Sequence, residues 1–247
     1  MATSATTSPP APAATLPLAG RVAIVTGASR GIGRGIATHL SSLGASLVLG
    51  YASSSQQADA LAAELPRAVA VKADVSDEAG VRSLFDACAG LGIGTYPSLA
   101  STATADFDNV FAVNTRGAFL CLREAANRLH RGGGGRIVAV SSTLAATLLP
   151  GYAAYAASKA AVEAMMRVAA KELGSARVTV NCVAPGPVAT ELFFDGKSEE
   201  AVERFRAGHP MGRLGEVGDI APAVGFLCTD AAEWVNGQVI RLNGGIA

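Results

Sequence analysis

Val22-Ala-Ile-Val-Thr26 is a short apolar run that passes directly into Gly27-Ala-Ser-Arg-Gly31-Ile-Gly33, and a helix-like stretch follows to Leu43. A buried strand, a glycine turn and a helix in immediate succession restrict what the chain can become. The glycines let the backbone turn tightly and come close to a pyrophosphate, and the helix N-terminus offers it free N–H groups. Gly27, Ser29, Arg30, Gly31, Ile32 and Gly33 are therefore candidates for holding a dinucleotide. The spacing is Gly-x-x-x-Gly-x-Gly rather than Gly-x-Gly-x-x-Gly, and the same residues would serve an ordinary strand-to-helix turn.

Strand-like and helix-like stretches then alternate. Ser46–Tyr51, 68–72, 136–142, 178–184 and 238–242 read as strands. Residues 54–64, 77–85, 104–129, the run containing Tyr155, 198–202 and 218–228 read as helices, with Ser198 as a cap and 188–197 as a mobile loop. Such alternation argues for an α/β fold: a doubly wound parallel sheet with helices on both faces, in a single domain over residues 19–247. Residues 1–18 are mostly Ala, Thr, Ser and Pro without charged side chains and read as a disordered tail. The second strand ends in Gly50-Tyr-Ala-Ser-Ser-Ser55, where an acid would hold a ribose 2′-hydroxyl. With no acid there, Arg30, Ser53 and Ser54 suit a 2′-phosphate and favour NADPH over NADH, although these serines could also cap the next helix.

Tyr155-Ala-Ala-Ser-Lys159 carries the chemistry. On a helix, residues four apart share a face, so the phenol and the ammonium can address one spot. A free phenol is a poor acid or base at neutral pH, and a fixed cation beside it is expected to lower its pKa toward the working range. A small-residue helix that happens to carry a Tyr and a Lys is the plain alternative.

The 247 residues carry 20 basic and 20 acidic side chains, and no basic tract marks a nucleic-acid partner. No apolar run is long enough to span a bilayer. The four cysteines, at 88, 121, 182 and 228, show no metal-ligand spacing, so no metal is expected, and they read as buried thiols of a reducing compartment. The acid-free N-terminal stretch has the Ser/Ala bias of an organelle transit peptide but lacks Arg, which places the expectation in the cytosol rather than a plastid.

Together, Thr26-Gly-Ala-Ser-Arg-Gly-Ile-Gly33, Ala73-Asp-Val75, Asn114, Ser142, Tyr155-x-x-x-Lys159 and Pro185-Gly186, in this order, resemble the short-chain dehydrogenase/reductase family. The resemblance implies a Rossmann-type domain in a homo-oligomer, dimer or tetramer, that moves hydride between NAD(P) and a small carbonyl compound or alcohol. It would make Tyr155 the general acid in reduction, with Lys159 holding the nicotinamide ribose. Ser142, thirteen residues before the tyrosine, would bond the substrate oxygen in preference to Ser141, and Asn114 would join a proton relay. Asp74 and Val75 would lie at the adenine, Ala89 and Gly90 in a loop beside the cofactor, and Pro185, Gly186, Val188 and Thr190 on its nicotinamide side. The implied reaction is NADPH-dependent reduction of an aldehyde, ketone or quinone-like substrate. A 3-oxoacyl-thioester reductase, suggested by Lys197, Arg204, Arg206 and Arg213, and a catalytically impaired cofactor-binding isoform are the alternatives. Substrate choice would fall to loops carrying Leu144, Leu148, Leu149, Leu192, Phe193 and Phe194.

The chain departs from the family at Ala87-Cys-Ala-Gly90, which follows the 77–85 helix almost at once. The end of that helix and most of a fourth, central strand are missing. A vacant central strand is close to intolerable when whole-domain stability is only about 5–15 kcal/mol. Two outcomes stay open: Val81–Cys88 abandons helix to fill the slot, or the chain folds poorly.

Overall fold

The structure is a computed structural model that describes residues 16–85, 98–129 and 132–247. The readings made for residues 1–15, for the Ala87–Gly94 loop with Cys88, Ala89 and Gly90, and for Arg131 lie outside the described residues. The disordered tail expected over 1–18 is corrected at its end, since Leu18 is buried in the core and its N donates to the Leu43 carbonyl at 2.8 Å. The strands are β1 (Val22–Val25), β2 (Ser46–Tyr51), β3 (Ala68–Lys72), β4 (Arg136–Val140), β5 (Thr179–Pro185) and β6 (Val239–Leu242). The helices are α1 (Gly31–Ser42), α2 (Ser55–Glu64), α3 (Glu78–Phe85), α4 (Thr104–Phe111), α5 (Gly117–Arg128), α6 (Leu144–Thr147), α7 (Ala153–Glu172), α8 (Glu191–Phe194), α9 (Glu199–Ala207) and α10 (Val217–Cys228).

All pairing between these strands is parallel, and it forms two three-stranded sheets, β1-β2-β3 and β4-β5-β6. Side chains alternate between faces along each strand. Leu47 and Leu49 of β2 and Val183 of β5 enter one core with Ile36 and Leu40 of α1, Leu61 of α2 and Ile220, Val224 and Leu227 of α10. Val180 and Cys182 of β5 point the other way, against Val162, Met166 and Ala169 of α7. Val48 faces a third cluster built from Val75, Val81 and Leu120. The first core draws on both sheets, so a shared layer of α1, α2 and α10 packs them as one body. Gly35 lets α1 and α10 meet closely, since a Cβ there would come within 1.8 Å of Val217 Cγ1.

The single continuous sheet expected from the alternation is thus divided. Among the described residues, β1 and β4 each pair on one side only. A parallel sheet normally buries both faces. Ala23 and Val25 do pack toward α1, but Val22 and Ile24, on the opposite face, are 68% and 41% exposed. The suggestion that Val81–Cys88 leaves helix is corrected for its described part, since Val81 lies in α3 and is buried there. Its side chain joins Val75 and Leu120, so the helix already has an apolar face to satisfy.

Two further expectations change. The long helix over 104–129 is interrupted by a π turn, Ala112–Arg116, between α4 and α5. Residues 188–197 are not an irregular loop throughout, because Thr190 accepts a hydrogen bond from Phe193 N and caps the short helix α8. Ser198 caps α9 as expected, accepting from Ala201 N.

Leu49 is fully buried at the centre of the first sheet, and Trp234 is 98% exposed. Leu49→Ala is expected to cost about 2–5 kcal/mol and Trp234→Ala less than about 0.5 kcal/mol, read as the difference in unfolding free energy in urea.

Candidate active site

Four side chains singled out in the sequence meet where the C-terminal end of β4 faces α7. The Tyr155 phenol is hydrogen-bonded to the Ser142 hydroxyl, which also accepts from Leu144 N at 3.2 Å. Lys159 Nζ lies 5.7 Å from the Tyr155 ring centroid and donates to the Val140 carbonyl at 3.0 Å. Asn114 sits in the π turn and is buried, with Nδ2 donating to Ser158 Oγ at 3.1 Å. Ser158 Oγ in turn donates to the Tyr155 carbonyl at 2.7 Å, and Thr115 Oγ1 donates to the Ser158 carbonyl at 3.2 Å. A π turn widens the backbone ring by one residue, a distortion common at functional sites. Here it seats Asn114 and Thr115 on the helix residue that precedes Lys159.

Ser141, the serine passed over, is occupied elsewhere: its Oγ donates to Glu163 Oε1 at 2.7 Å. Tyr155, Lys159 and Glu163 are spaced four apart on α7 and engage Ser142, Val140 and Ser141 at the strand end. Ser158 and Glu163 were not anticipated as site residues. The four-residue spacing from Lys159 to Glu163 was a signal for the second. Tyr152, three residues before Tyr155, was also missed, and it lies near enough for the Tyr155 phenol to influence its ionisation.

The electrostatics correct one expectation. Burial raises the Tyr155 pKa above its ordinary 10.0, and the bond to Ser142 draws it back only in part. The Lys159 ammonium is turned to the Val140 carbonyl and lies over the ring, 5.7 Å from its centroid. Burial lowers the Lys159 pKa from 10.5 to about 8, with nearby Cys182 opposing the shift. Burial also pushes the Cys182 thiol up to about 12.

The glycine turn forms as the sequence suggests. Gly27 and Gly31 have φ of 63° and 54°, in the left-handed region that favours glycine. A Cβ on Gly33 would lie 2.1 Å from the Gly27 carbonyl oxygen, so nothing larger fits. Ala28 N donates to the Gly50 carbonyl at 3.1 Å, fastening the turn to the end of β2. Ile32 is partly buried against the first core. Ser29 is 1% exposed, and its Oγ has no hydrogen-bond partner among the described residues. A buried hydroxyl without a partner is costly and rare. In a glycine turn at a helix N-terminus it fits a phosphate oxygen.

The remaining candidates are distributed around this turn. Ala73 N donates to the Tyr51 carbonyl at 2.8 Å, setting Asp74 and Val75 beside the end of β2. Asp74 Oδ1 accepts from Ser76 N and Ser76 Oγ at 2.8 and 2.7 Å. Ser54 is the N-cap residue of α2 without a side-chain cap bond, and Ser53 lies in the bend before it. Pro185 ends β5, Gly186 N donates to the Leu242 carbonyl at 3.0 Å, and Val188 bridges Gly215. Arg30 is not turned toward Ser53 and Ser54: its Nη1 lies 3.4 Å from Glu191 Oε2. Of the apolar residues expected around a substrate, Leu148, Leu149, Leu192 and Phe194 are exposed.

A family model described as enoyl-(acyl carrier protein) reductase matches residues 27–247. The chain is 52% identical to an NADPH-dependent aldehyde reductase-like protein, chloroplastic, from Arabidopsis thaliana, over 93% of this chain and 95% of that one. It is 48% identical to NADPH-dependent aldehyde reductase 2, chloroplastic, of the same plant, over 99% and 98%. The crystal structure of a short chain dehydrogenase from Burkholderia cenocepacia J2315 in complex with NADP superposes with a TM-score of 0.86 at 32% identity, covering 93% of this chain and 98% of that one. The chain belongs to the short-chain dehydrogenase/reductase family.

As a family member it is short. The alignment with the first Arabidopsis protein runs over 257 positions but uses 93% of the 247 residues here, about 230, so about 27 positions are absent from this chain. A gap of that size is about what the loss of a strand and a helix end, expected after the 77–85 helix, would leave. The cytosolic expectation is corrected, since both Arabidopsis relatives are chloroplastic, which points to a plastid. Requiring Arg in the N-terminal stretch gave its absence too much weight against the Ser, Thr and Ala bias and the lack of acids.

A lysine whose pKa falls on folding carries a penalty wherever it must be charged in the fold. For Lys159 that penalty is complete below pH 8 and disappears as pH rises toward 10.5. The thermal stability of Lys159→Met relative to the unsubstituted protein should therefore be most favourable below pH 8 and fall as pH rises to 10.5, a relative change of up to about 3 kcal/mol. Melting curves of both proteins across that range measure it.

Proposed function

We propose that this short-chain dehydrogenase/reductase uses NADPH to reduce the carbonyl of a small aldehyde, ketone or quinone-like molecule to an alcohol, with Tyr155 as the general acid. The observation that carries the reading is the hydrogen bond joining the Ser142 and Tyr155 hydroxyls at the mouth of the β4–α7 seam. Two hydroxyls held together can both reach one substrate oxygen, polarising it as negative charge develops there. When bound, the nicotinamide supplies the hydride. Tyr155 gives its proton to the oxygen as the alcohol forms. A phenol held above its usual pKa is fully protonated at neutral pH, which suits a proton donor. Lys159, with a pKa of about 8, is still largely cationic there and holds the nicotinamide ribose. Asn114 acts through Ser158, holding the Tyr155–Lys159 turn in place.

The glycine turn binds the cofactor, with the Ser29 hydroxyl taking a phosphate oxygen. One Arabidopsis relative is named an NADPH-dependent aldehyde reductase and the other an NADPH-dependent aldehyde reductase-like protein, and the Burkholderia structure holds NADP, which supports the choice of cofactor and of reaction. The exposed apolar side chains of Leu148, Leu149, Leu192 and Phe194 suit an apolar substrate. The thioester alternative is not favoured, because Arg206 and Arg213 are paired within the chain to Glu203 and Asp219 and so offer less to an acidic carrier. The protein works as a homo-oligomer: Phe107, Phe119 and Val168, on α4, α5 and α7, are exposed apolar side chains suited to a self-association surface.

NADPH oxidation followed over a panel of aldehydes, diketones and an acetoacetyl thioester tests the reading. Turnover of the first two groups is expected. Binding of NADPH without turnover on every member would instead identify an impaired isoform. Tyr155→Phe should abolish turnover while leaving the NADPH Kd unchanged, and retained turnover in that variant would falsify the assignment. Ser29→Ala removes a buried hydroxyl that has no partner among the described residues, so its melting temperature should not fall, yet its NADPH Kd should rise about five- to tenfold.

A further inference from the structure

The glycine turn and the segment opening α8 meet across a cleft of about 590 Å³ lined by Arg30, Glu191, Leu192, Phe194, Asp195 and Gly196. Their approach is close, because a Cβ placed on Gly31 would be 3.5 Å from Thr190 Cγ2. One guanidinium faces two carboxylates in this cleft, and Arg30 Nη1 is 3.4 Å from Glu191 Oε2. Both side chains are substantially exposed, at 49% and 77%. An exposed pair of this kind is weak and exchanges readily.

That pairing matters because Arg30 is the cation assigned to the cofactor's 2′-phosphate. A phosphate monoester carries more charge than a carboxylate and offers three acceptor oxygens, so it is the stronger partner for a guanidinium. Both anions cannot use the same guanidinium edge. Whatever free energy ties Arg30 to Glu191 must be given back before the phosphate can bind.

Resting on the NADPH reading above, we propose that Glu191 is an intrachain competitor for the cofactor's 2′-phosphate at Arg30 and thereby sets the affinity for NADPH relative to NADH. Glu191 mimics the incoming anion, and the cofactor replaces it. α8, with its apolar Leu192 and Phe194, is fastened to the glycine turn through Glu191 only while the phosphate is absent.

Isothermal titration of NADPH and NADH into the full chain decides the matter, using the unsubstituted protein, Glu191→Gln, Arg30→Gln and the double variant at low and at high salt. Glu191→Gln keeps the size of an exposed side chain, so folding is not at issue, and melting curves verify this. It should tighten NADPH about two- to fivefold at low salt, less at high salt, and leave NADH unchanged. In the Arg30→Gln background the same substitution should do nothing. An unchanged or weaker NADPH Kd in Glu191→Gln overturns the proposal, as does equal tightening of NADPH and NADH or a full effect without Arg30. An unsubstituted protein that binds NADPH no better than NADH would instead overturn the cofactor reading beneath it.

Discussion

The seam between β4 and α7 is what the candidate site depends on. Three side chains spaced four apart on α7 engage the strand end: Tyr155 with the Ser142 hydroxyl, Lys159 with the Val140 carbonyl and Glu163 with the Ser141 hydroxyl. Two of these contacts would be ordinary docking bonds in any α/β protein. The third, at the outer end, joins the two hydroxyls proposed to take the substrate oxygen. The register of α7 on the sheet is set below them by Val162, Met166 and Ala169 packing on Val180 and Cys182. Apolar packing therefore decides where the phenol points, and the polar contacts fix its last increments. Burying Lys159 is the cost of that arrangement, and it explains why the lysine, rather than the tyrosine, has its proton affinity reduced.

Much of this was legible in the chain. Short apolar runs between glycine turns and amphipathic stretches located the described strands to within a residue or two, because a strand buried on both faces must be apolar throughout. The Tyr155–Lys159 spacing was readable because helical periodicity is local, whereas the choice of Ser142 over Ser141 came from the resemblance to the family. What escaped was set by distant contacts. The direction of the Tyr155 shift depends on how deeply the phenol is enclosed, which no spacing reveals. The pairing of Arg30 with Glu191 joins residues 161 apart in sequence. Asn114 was recognisable as a polar residue in an apolar helix, but its engagement with Ser158 required α4 and α7 to be docked.

The absent positions show how such a fold distributes its cohesion. About 27 residues are missing relative to an Arabidopsis protein of 52% identity, yet the first core still gathers side chains from both sheets. The layer of α1, α2 and α10 was not interrupted, and it spans the join. On the other face of β1, Val22 and Ile24 are exposed. The glycine turn belongs to the first sheet, and Ser142 and Tyr155 adjoin the second. Their relative placement rests on that helical layer and, on the other face, on α5, which packs against Val75 and Val81 on one side and against β4 and α7 on the other.

The π turn has a consequence of its own. A regular helix advances 3.6 residues per turn, so each residue accounts for about 100° of rotation. The widened ring at Ala112–Arg116 absorbs one residue's worth of that rotation between α4 and α5. It works as a phase adjuster, letting α4 meet α7 while α5 keeps Leu120 on Val75 and Val81. Shortening the turn by one residue would restore ideal helical spacing and improve local hydrogen bonding. It would also rotate one half of the rod against the other by more than a quarter turn, withdrawing either Asn114 or Leu120 from its partners. In this stretch the less regular helix is the one that fits.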